Sequence, residues 1–417
     1  MQTLNLVKLV LQMVVVLFAC RTVGALFLKI GQPRVNGEMA AGILLGPSLL
    51  GWVAPPVSAY LFPASSLEFL NALSQIGVIF FMFLVGLGMN LGELRSQGRA
   101  AVATTFSSIL APFALAFLLA LYLYPRLSTP EVSFYTFAEF LGAGMSITAF
   151  PMLARMLSER NMLTTRVGTI AVTCAAASGV ASWSILAYIA AHLRAGQSSG
   201  LLWLTFGGIV AFAILMIYAG GPLLQKFENY YTKRGSLSES ATGLIVLLVM
   251  VGGMCAGYLG IHPLFGAFMV GAVMPKGRVF VAYVSARLET VAVAVLLPLF
   301  FAFSGLRTNV GLVQGTMMWL YCGLIILTAT AAKLGSSTLS TWACGVSLRE
   351  SAGVGALLNT RGLITLIVLN IGLDMKVITP TVFSMMVVMA LVTTVMTIPL
   401  LDLFCPRDLV EEPQAAP

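Results

Sequence analysis

The chain has 417 residues, of which 59% are hydrophobic and only 9% are charged, and its formal net charge is +8. A water-soluble domain carries about a quarter of its residues as charged side chains, so this composition excludes a soluble fold. Apolar runs long enough to cross a bilayer recur from end to end. The sequence therefore predicts an all-α polytopic membrane protein.

The hydropathy pattern predicts about thirteen transmembrane helices. They cover residues 4–28, 35–51, 68–91, 100–124, 133–154, 167–192, 200–224, 240–260, 262–275, 281–306, 315–338, 351–372 and 378–404. We expect one membrane domain over residues 1–404, with a first repeat at about 4–192, a linking helix at about 200–224 and a second repeat at about 240–404. Residues 405–417 are expected to form a short cytoplasmic tail.

The distribution of basic residues orients these spans. Fourteen Lys and Arg residues fall in loops after odd-numbered spans and four in loops after even-numbered ones. The positive-inside rule then places the N-terminus outside and the C-terminus in the cytoplasm, in a plasma (inner) membrane. The excess of Lys and Arg over acidic residues is thus interpreted as a signal for the orientation of the chain in the membrane. We expect the lipid bilayer as a partner and no nucleic acid, whose binding surface would gather its charges on one face.

A pattern shared by two distant segments indicates an inverted repeat. Residues 86–92 and 305–311 both read G-L-x-x-N-x-G, and spans two and nine are both short, glycine-rich and closed by a proline. The matching spans lie seven apart, an odd number, so the two halves enter the membrane in opposite directions. Glycine-rich apolar helices can resemble one another by chance, but these two matches and a third between spans five and twelve, all in register, favour a true repeat. Such repeats are typical of alternating-access transporters with a midplane site.

Spans five and twelve are interrupted at matching positions. Pro151 removes a backbone hydrogen bond in span five, and residues 359–362 place a charge and a glycine inside span twelve. Irregular backbone at membrane depth is tolerated only where it is buried in protein or lines a cavity. Each break alone could be an ordinary kink. Together they predict two crossing, interrupted helices that form a site with Ser146, Thr148, Asn359, Thr360 and Arg361.

Ionisable residues inside a membrane are costly and usually functional. Lys333 in span eleven and Glu139 in span five are therefore candidates for coupling to protons. Nothing in the sequence reads as a nucleophile triad, a metal cluster or a phosphate-binding loop, so no catalytic residues, no metal and no cofactor are predicted. The sequence therefore does not favour an enzymatic function.

Four segments carry a resemblance to a known family. Residues 37–47 resemble G-E-x-x-A-G-I-x-L-G-P, residues 145–155 resemble M-S-x-T-A-F-P-x-L-A-R, and residues 359–363 and 369–373 resemble N-T-R-G-L and L-N-I-G-L. These motifs are similar to those of the monovalent cation:proton antiporter superfamily, in the branch of bacterial sodium or potassium exchangers and plant cation exchangers. The resemblance covers residues 5–404. It implies a Na⁺/H⁺ antiporter-like fold, a homodimer, and exchange of a small cation for protons.

The chain departs from that pattern at its acids, since it has no aspartate before Asp374. Where the family has Asp-Asp in span six, this chain has Ser178 and Gly179. Where the family has an acid shortly after N-T-R-G-L, this chain has Thr365. Lys333 looks like the lysine that pairs with the span-six aspartate, and it is kept without that partner. We therefore add Ser178, Gly179, Thr365 and Lys333 to the candidate site, which we interpret as an ion site whose acids have been substituted.

The substitutions change the expected mechanism. The resemblance implies that a span-six aspartate binds either cation or proton, whereas Ser178 can offer an oxygen but cannot titrate. A charged Lys333 about 4 Å from a bound cation would repel it by roughly 4 kcal/mol at an effective dielectric constant near 20, or about three decades of affinity. We therefore expect a secondary transporter that does not use the usual aspartate mechanism.

Three interpretations follow from the residues. In the first, cation exchange persists, with Glu139 as carboxylate, Ser146, Thr148 and Ser178 as neutral ligands, and Lys333 as proton carrier. In the second, a core with Lys333 and Arg361 carries an anionic or uncharged organic substrate. In the third, the fold serves a non-transporting membrane enzyme or regulatory protein.

Overall fold

The computed structural model describes residues 6–88, 99–160, 162, 165–195, 207–208, 211–259 and 263–405, and within these it contains helices and no strands. In chain order the α-helices are α1 (Leu6–Lys29), α2 (Arg34–Leu45), α3 (Leu50–Val53), α4 (Pro55–Leu61), α5 (Ala64–Gly88), α6 (Arg99–Leu127), α7 (Phe134–Ser146), α8 (Phe150–Glu159), α9 (Arg166–Ala195), α10 (Gly221–Arg234), α11 (Glu239–Tyr258), α12 (Pro263–Val273), α13 (Arg278–Val291), α14 (Leu297–Leu306), α15 (Gly315–Ala343), α16 (Leu348–Leu358), α17 (Leu363–Asp374) and α18 (Pro380–Phe404). Three predicted features extend outside the described residues: the tail after Cys405, the first G-L-x-x-N-x-G pattern after Gly88, and the linking helix at residues 200–206 and 209–210.

The predicted all-α polytopic class is confirmed. In the part of the chain that the structure describes, seven segments are long and apolar enough to cross a membrane: Leu6–Lys29, Ser66–Gly88, Arg99–Leu127, Glu239–Tyr258, Arg278–Leu312, Gly315–Ala343 and Pro380–Phe404. The number of thirteen spans and the inverted relation of the two halves stay predictions.

The linking helix runs further than its apolar pattern suggests. The predicted span ends at residue 224, but α10 continues to Arg234 and is preceded by a π-helical turn at Met216–Gly220. The extension is polar, and residues 225–234 contain neither proline nor glycine to stop it. Gly235 then ends the helix in the left-handed conformation, with φ of 72°, which glycine adopts without a steric penalty.

The chain divides into two compact units. The first unit comprises Met1–Leu17, Pro63–Gly92 and Trp183–Phe303, and the second comprises Phe18–Phe62, Glu93–Ser182 and Ser304–Pro417.

In the first unit, α5 packs closely against α12. A Cβ atom on Gly86 would lie 2.2 Å from the Phe268 carbonyl oxygen, and one on Gly271 would lie 2.1 Å from that of Phe83. Glycine at both positions therefore allows the two backbones to meet, as small residues do at helix interfaces in membranes.

A lysine closes the end of this helix pair. The Lys276 Nζ donates hydrogen bonds to the carbonyl oxygens of Gly86 at 2.8 Å, Leu87 at 3.0 Å and Gly271 at 2.9 Å. The last carbonyls of a helix have no intrahelical partner, and a cation there also complements the helix dipole. Lys276 lies in the loop after α12, where burial in the protein lowers its pKa to about 8.

The second unit contains both interrupted helices. Here α6 packs on α15 and α7, α16 packs on α15 and α18, and α17 packs on α7 and α18. Glycines again allow close approach: a Cβ on Gly355 would lie 2.5 Å from Thr338 Oγ1, and one on Gly372 would lie 2.8 Å from the Phe140 ring. This packing brings the ends of four half-helices into one buried region.

Candidate functional site

The first break separates α7 from α8. The helix α7 ends at Ser146, Ile147 is extended with φ of −71° and ψ of 134°, and α8 begins at Phe150. Pro151 is thus the second residue of a new helix, where its missing N–H group costs no hydrogen bond. The carbonyl groups at the end of α7 remain available to partners from elsewhere in the fold.

The second break separates α16 from α17 and meets the first. Thr148 Oγ1 donates to the Leu358 carbonyl oxygen at 3.1 Å, and the Ala149 amide donates to the Thr360 carbonyl oxygen at 3.1 Å. A Cβ on Gly362 would lie 2.9 Å from the Ala149 Cβ atom, so only glycine fits at this contact. The predicted crossing of two interrupted helices is confirmed.

Lys333 lies beside the crossing on α15 and is fully buried. Its Nζ donates to the carbonyl oxygen of Ser108 at 2.8 Å and also to the carbonyl oxygen of Ser146. The ammonium group therefore caps the C-terminal end of α7, which carries a partial negative charge. Among the residues that the structure describes, two carbonyl oxygens and no carboxylate bind this lysine.

Arg361 reaches the same helix end from the second break. Its Nη1 donates to the Ile147 carbonyl oxygen at 2.6 Å, and its side chain is 1% exposed. Lys333 and Arg361 thus bind the consecutive carbonyls of Ser146 and Ile147. The Nε and Nη2 atoms of Arg361 are buried and have no hydrogen-bond partner.

A threonine on α18 holds the second break in its irregular conformation. The Thr394 hydroxyl accepts a hydrogen bond from the Arg361 amide at 3.0 Å and donates to the Arg361 carbonyl oxygen at 2.9 Å. One turn further along α18, Thr397 Oγ1 accepts from Thr360 Oγ1 at 3.3 Å. Sequence reasoning missed this pair, although polar residues spaced three apart in an apolar span are a usable signal.

Other predicted site residues are buried in the same unit. Ser178 and Gly179 lie on α9, one turn after Cys174, whose thiol donates to the Ala101 carbonyl oxygen at 3.3 Å. Thr365 and Asn359 are fully buried, and Thr365 Oγ1 has no hydrogen-bond partner. A Cβ on Gly179 would meet no atom within 4 Å, so this position has room for a side chain.

Glu139 lies further away along α7. It precedes Ser146 by seven residues, which corresponds to two turns or roughly 10 Å along the helix axis and to nearly the same helix face. Its side chain is 8% exposed. Glu139 is therefore aligned with the crossing but does not reach the carbonyl oxygens that bind Lys333. Among the described residues, no cluster of His, Cys, Asp and Glu could hold a metal ion.

The family follows from a comparison with known sequences. The model of the family described as "Sodium/hydrogen exchanger, transmembrane" matches residues 13–402. This chain belongs to the sodium/hydrogen exchanger family. The resemblance stated from its motifs is confirmed, and the protein is an integral, multi-pass membrane protein of the cation/proton antiporter type.

Two relatives show how far the sequence similarity of this chain extends. The Na(+)/H(+) antiporter NhaS4 of Synechocystis sp. is 38% identical over 401 residues, which cover 96% of this chain and 98% of that protein. The Cation/H(+) antiporter 17 of Arabidopsis thaliana is also 38% identical and matches 94% of this chain. That match spans 48% of the plant protein, so the chain covers about half its length.

A solved structure shows the same fold. The sodium proton antiporter MjNhaP1 from Methanocaldococcus jannaschii at pH 8 matches 98% of this chain and 100% of its own chain, with a TM-score of 0.70 and 16% sequence identity. The predicted Na⁺/H⁺ antiporter-like fold of this chain is therefore confirmed.

Proposed function

We propose that this protein exchanges a monovalent cation for a proton at the helix crossing, and that Lys333 takes the part played by an aspartate in the family pattern. The observation that carries the proposal is the pair of main-chain carbonyl oxygens, from Ser108 and Ser146, that bind the Lys333 ammonium group. Carbonyl oxygens of this kind also replace the hydration shell of alkali cations. One set of ligands thus suits both positive charges.

Competition for these oxygens would couple the two fluxes. A protonated Lys333 occupies the carbonyls and repels a second positive charge, since two unit charges a few ångströms apart interact by several kcal/mol even at an effective dielectric constant near 20. A neutral amine leaves the carbonyls to a cation. The site then holds either a proton on Lys333 or one bound cation, which makes the exchange one-for-one and electrically neutral.

Neighbouring oxygens complete the proposed cation site. We assign neutral ligand roles to the hydroxyls of Ser146 and Ser178, whereas the Thr148 hydroxyl is used to join the two breaks. Glu139 serves as a proton relay on the face of α7 that leads to Ser146. Replacement of Glu139 by Gln should therefore slow proton delivery while leaving cation binding in detergent intact, which calorimetric titration would check.

The remaining features follow the family. We propose a homodimer in a plasma (inner) membrane, with the N-terminus outside and the C-terminus in the cytoplasm. Cross-linking in membranes and protease protection in oriented vesicles would test the dimer and the topology.

Dye-reported proton flux in proteoliposomes tests the exchange itself. Addition of sodium, potassium or lithium to the wild-type protein should drive proton movement, and a membrane potential imposed with an ionophore should not change its rate. The wild type is compared with the double variant Ser178→Asp/Gly179→Asp, which restores the two acids of the family pattern. A silent wild type with an active double variant would contradict the proposal, because the scaffold would then exchange cations only with its aspartates returned.

A further inference from the structure

The crossing gathers two cationic side chains without a carboxylate. Lys333 and Arg361 bind consecutive carbonyls at the end of α7, and neither forms an ion pair with any carboxylate that the structure describes. The acids of this unit with ion pairs are engaged elsewhere: Asp374 pairs with Arg307, Asp402 with Arg160 and Glu350 with Arg166. Glu139 lies two turns up α7. Buried charges in proteins are normally paired, so two buried cations that form no ion pair with a described carboxylate favour the binding of an anion.

The unpaired edge of Arg361 is shaped for an anion. Nη1 is used by the Ile147 carbonyl oxygen, while Nε and Nη2 are buried without a partner. The N–H bonds of Nε and Nη2 point along the same edge of the guanidinium plane and form a two-pronged donor, which is the fork that binds anions in bidentate fashion. A buried donor pair of this kind is costly unless a ligand completes it.

Asn359 adds a second unpaired group in the same four-residue break. Its side chain is fully buried, and both Nδ2 and Oδ1 have no hydrogen-bond partner. An amide has a donor end and an acceptor end. It can therefore donate to an anion through Nδ2 while its Oδ1 accepts a cation, which joins the two ions across one side chain.

The helix ends at the breaks agree with this assignment. The helix α17 starts directly after Gly362, and no side chain caps its first amide groups. Unpaired amides at a helix N-terminus carry a partial positive charge that favours anions. Discontinuous helices in transporters use such ends to bind anionic groups.

We propose that the crossing binds a small monovalent inorganic anion, held by Arg361 Nε and Nη2 and by Asn359 Nδ2. This inference rests on the proposed function, because the anion supplies at the cation site the negative charge that the missing aspartates would provide. Exchange is then anion-activated: the anion stays bound while cation and proton alternate. Its class is chloride or bicarbonate, since the donors form one bidentate fork and one amide.

Thermal unfolding of the purified full-length protein in detergent tests the binding without any ion gradient. The probes are potassium chloride and potassium bicarbonate, each compared with potassium gluconate at equal potassium concentration and pH. We expect a saturable rise of the melting temperature with at least one of the two small anions, and the effective one identifies the ligand. Equal melting temperatures in all three salts would overturn the proposal.

Substitutions locate the site. Arg361→Lys keeps the positive charge but removes the two-pronged donor. It should raise the half-saturating anion concentration about tenfold or more, because one charge-assisted hydrogen bond is lost. Thr365→Glu places a carboxylate in the first turn of α17, close to Arg361. It should raise the melting temperature in gluconate and abolish the anion response. A full anion response in Thr365→Glu would contradict the assignment.

The matched control is Arg307, whose Nη1 and Nη2 atoms both donate to protein oxygens. Arg307 donates to Asn370 Oδ1 at 2.9 Å and to Asp374 Oδ1 at 2.6 Å, so Arg307→Lys should leave the anion response unchanged. If Arg307→Lys and Arg361→Lys weaken the response equally, the anion binds elsewhere and the proposal fails.

The flux assay separates the two proposals, because an anion response without proton flux overturns only cation exchange, and flux without an anion response overturns only this inference.

Discussion

Two lysines, one half-buried and one fully buried, make the same type of interaction in the two units with different results. Lys276 in the first unit and Lys333 in the second both donate to main-chain carbonyl oxygens at the end of a helix. Lys276 uses three carbonyls and completes a regular helix pair. Lys333 holds the first break, and at the second break both side-chain polar atoms of Asn359 and the Nε and Nη2 atoms of Arg361 have no hydrogen-bond partner. Functional sites are where such local conflicts are retained, so the comparison supports the proposed site in the second unit.

The largest expected effect separates the two lysines. Lys333→Met should reduce cation-dependent proton flux by at least about 100-fold, the scale of a lost proton-transfer group. Lys276→Met should leave flux within a few-fold of wild type and lower the melting temperature, because three carbonyl oxygens lose their donor. Flux in proteoliposomes and thermal unfolding in detergent give the two readouts. Persistent flux in Lys333→Met would remove the lysine from the exchange mechanism.

A second prediction probes the glycine contact of the first unit. Gly86→Ala would force a Cβ atom to within 2.2 Å of the Phe268 carbonyl oxygen, and overpacking of this kind costs about 1–3 kcal/mol of folding free energy. Gly88→Ala, one position beyond Leu87 on the same helix, meets nothing within 4 Å and serves as the control. We expect lower expression and a lower melting temperature for the first variant alone. Equal behaviour of the two would mean that α5 and α12 pack less closely.

A third prediction concerns the threonine that holds the second break. Thr394→Val leaves the buried Arg361 amide without an acceptor, at a cost of about 1–3 kcal/mol, and should raise the half-saturating cation concentration for exchange about tenfold. The neighbouring Thr393 donates only to carbonyls of its own helix, those of Met389 and Ala390. Thr393→Val should therefore change cation affinity little. If both variants behave as wild type, the break does not depend on Thr394.

The smallest effect is a pH dependence in the first unit. Burial lowers the pKa of Lys276 to about 8, against an ordinary value of 10.5. Between these values the unfolded chain binds a proton that the folded chain has lost, so linkage makes the folded state gain stability as pH rises from about 8 to 10.5. Lys276→Met should lack this gain. Melting temperatures of both proteins across that range check it, and parallel curves would show that Lys276 does not titrate there.

Part of the site followed from sequence because its signals are local. Pro151 and Gly362 interrupt apolar runs, and their effects on a helix need no tertiary information. The breaks were therefore predicted, together with Ser146, Thr148 and Arg361 as residues beside them. The continuation of α10 to Arg234 was not predicted, since hydropathy detects the apolar part of a helix and not a polar extension.

The sequence by itself determined the membrane class, the family and the absence of any aspartate before Asp374, because hydropathy, motif order and residue identity are properties of the chain alone. Only the tertiary structure decided which groups meet. It brought Lys333 and Arg361 to consecutive carbonyls of α7, assigned Thr394 to the second break and kept Glu139 two turns from the crossing. The reason is physical: a buried polar group is defined by its partners, and those partners lie 33 to 225 residues away in the chain.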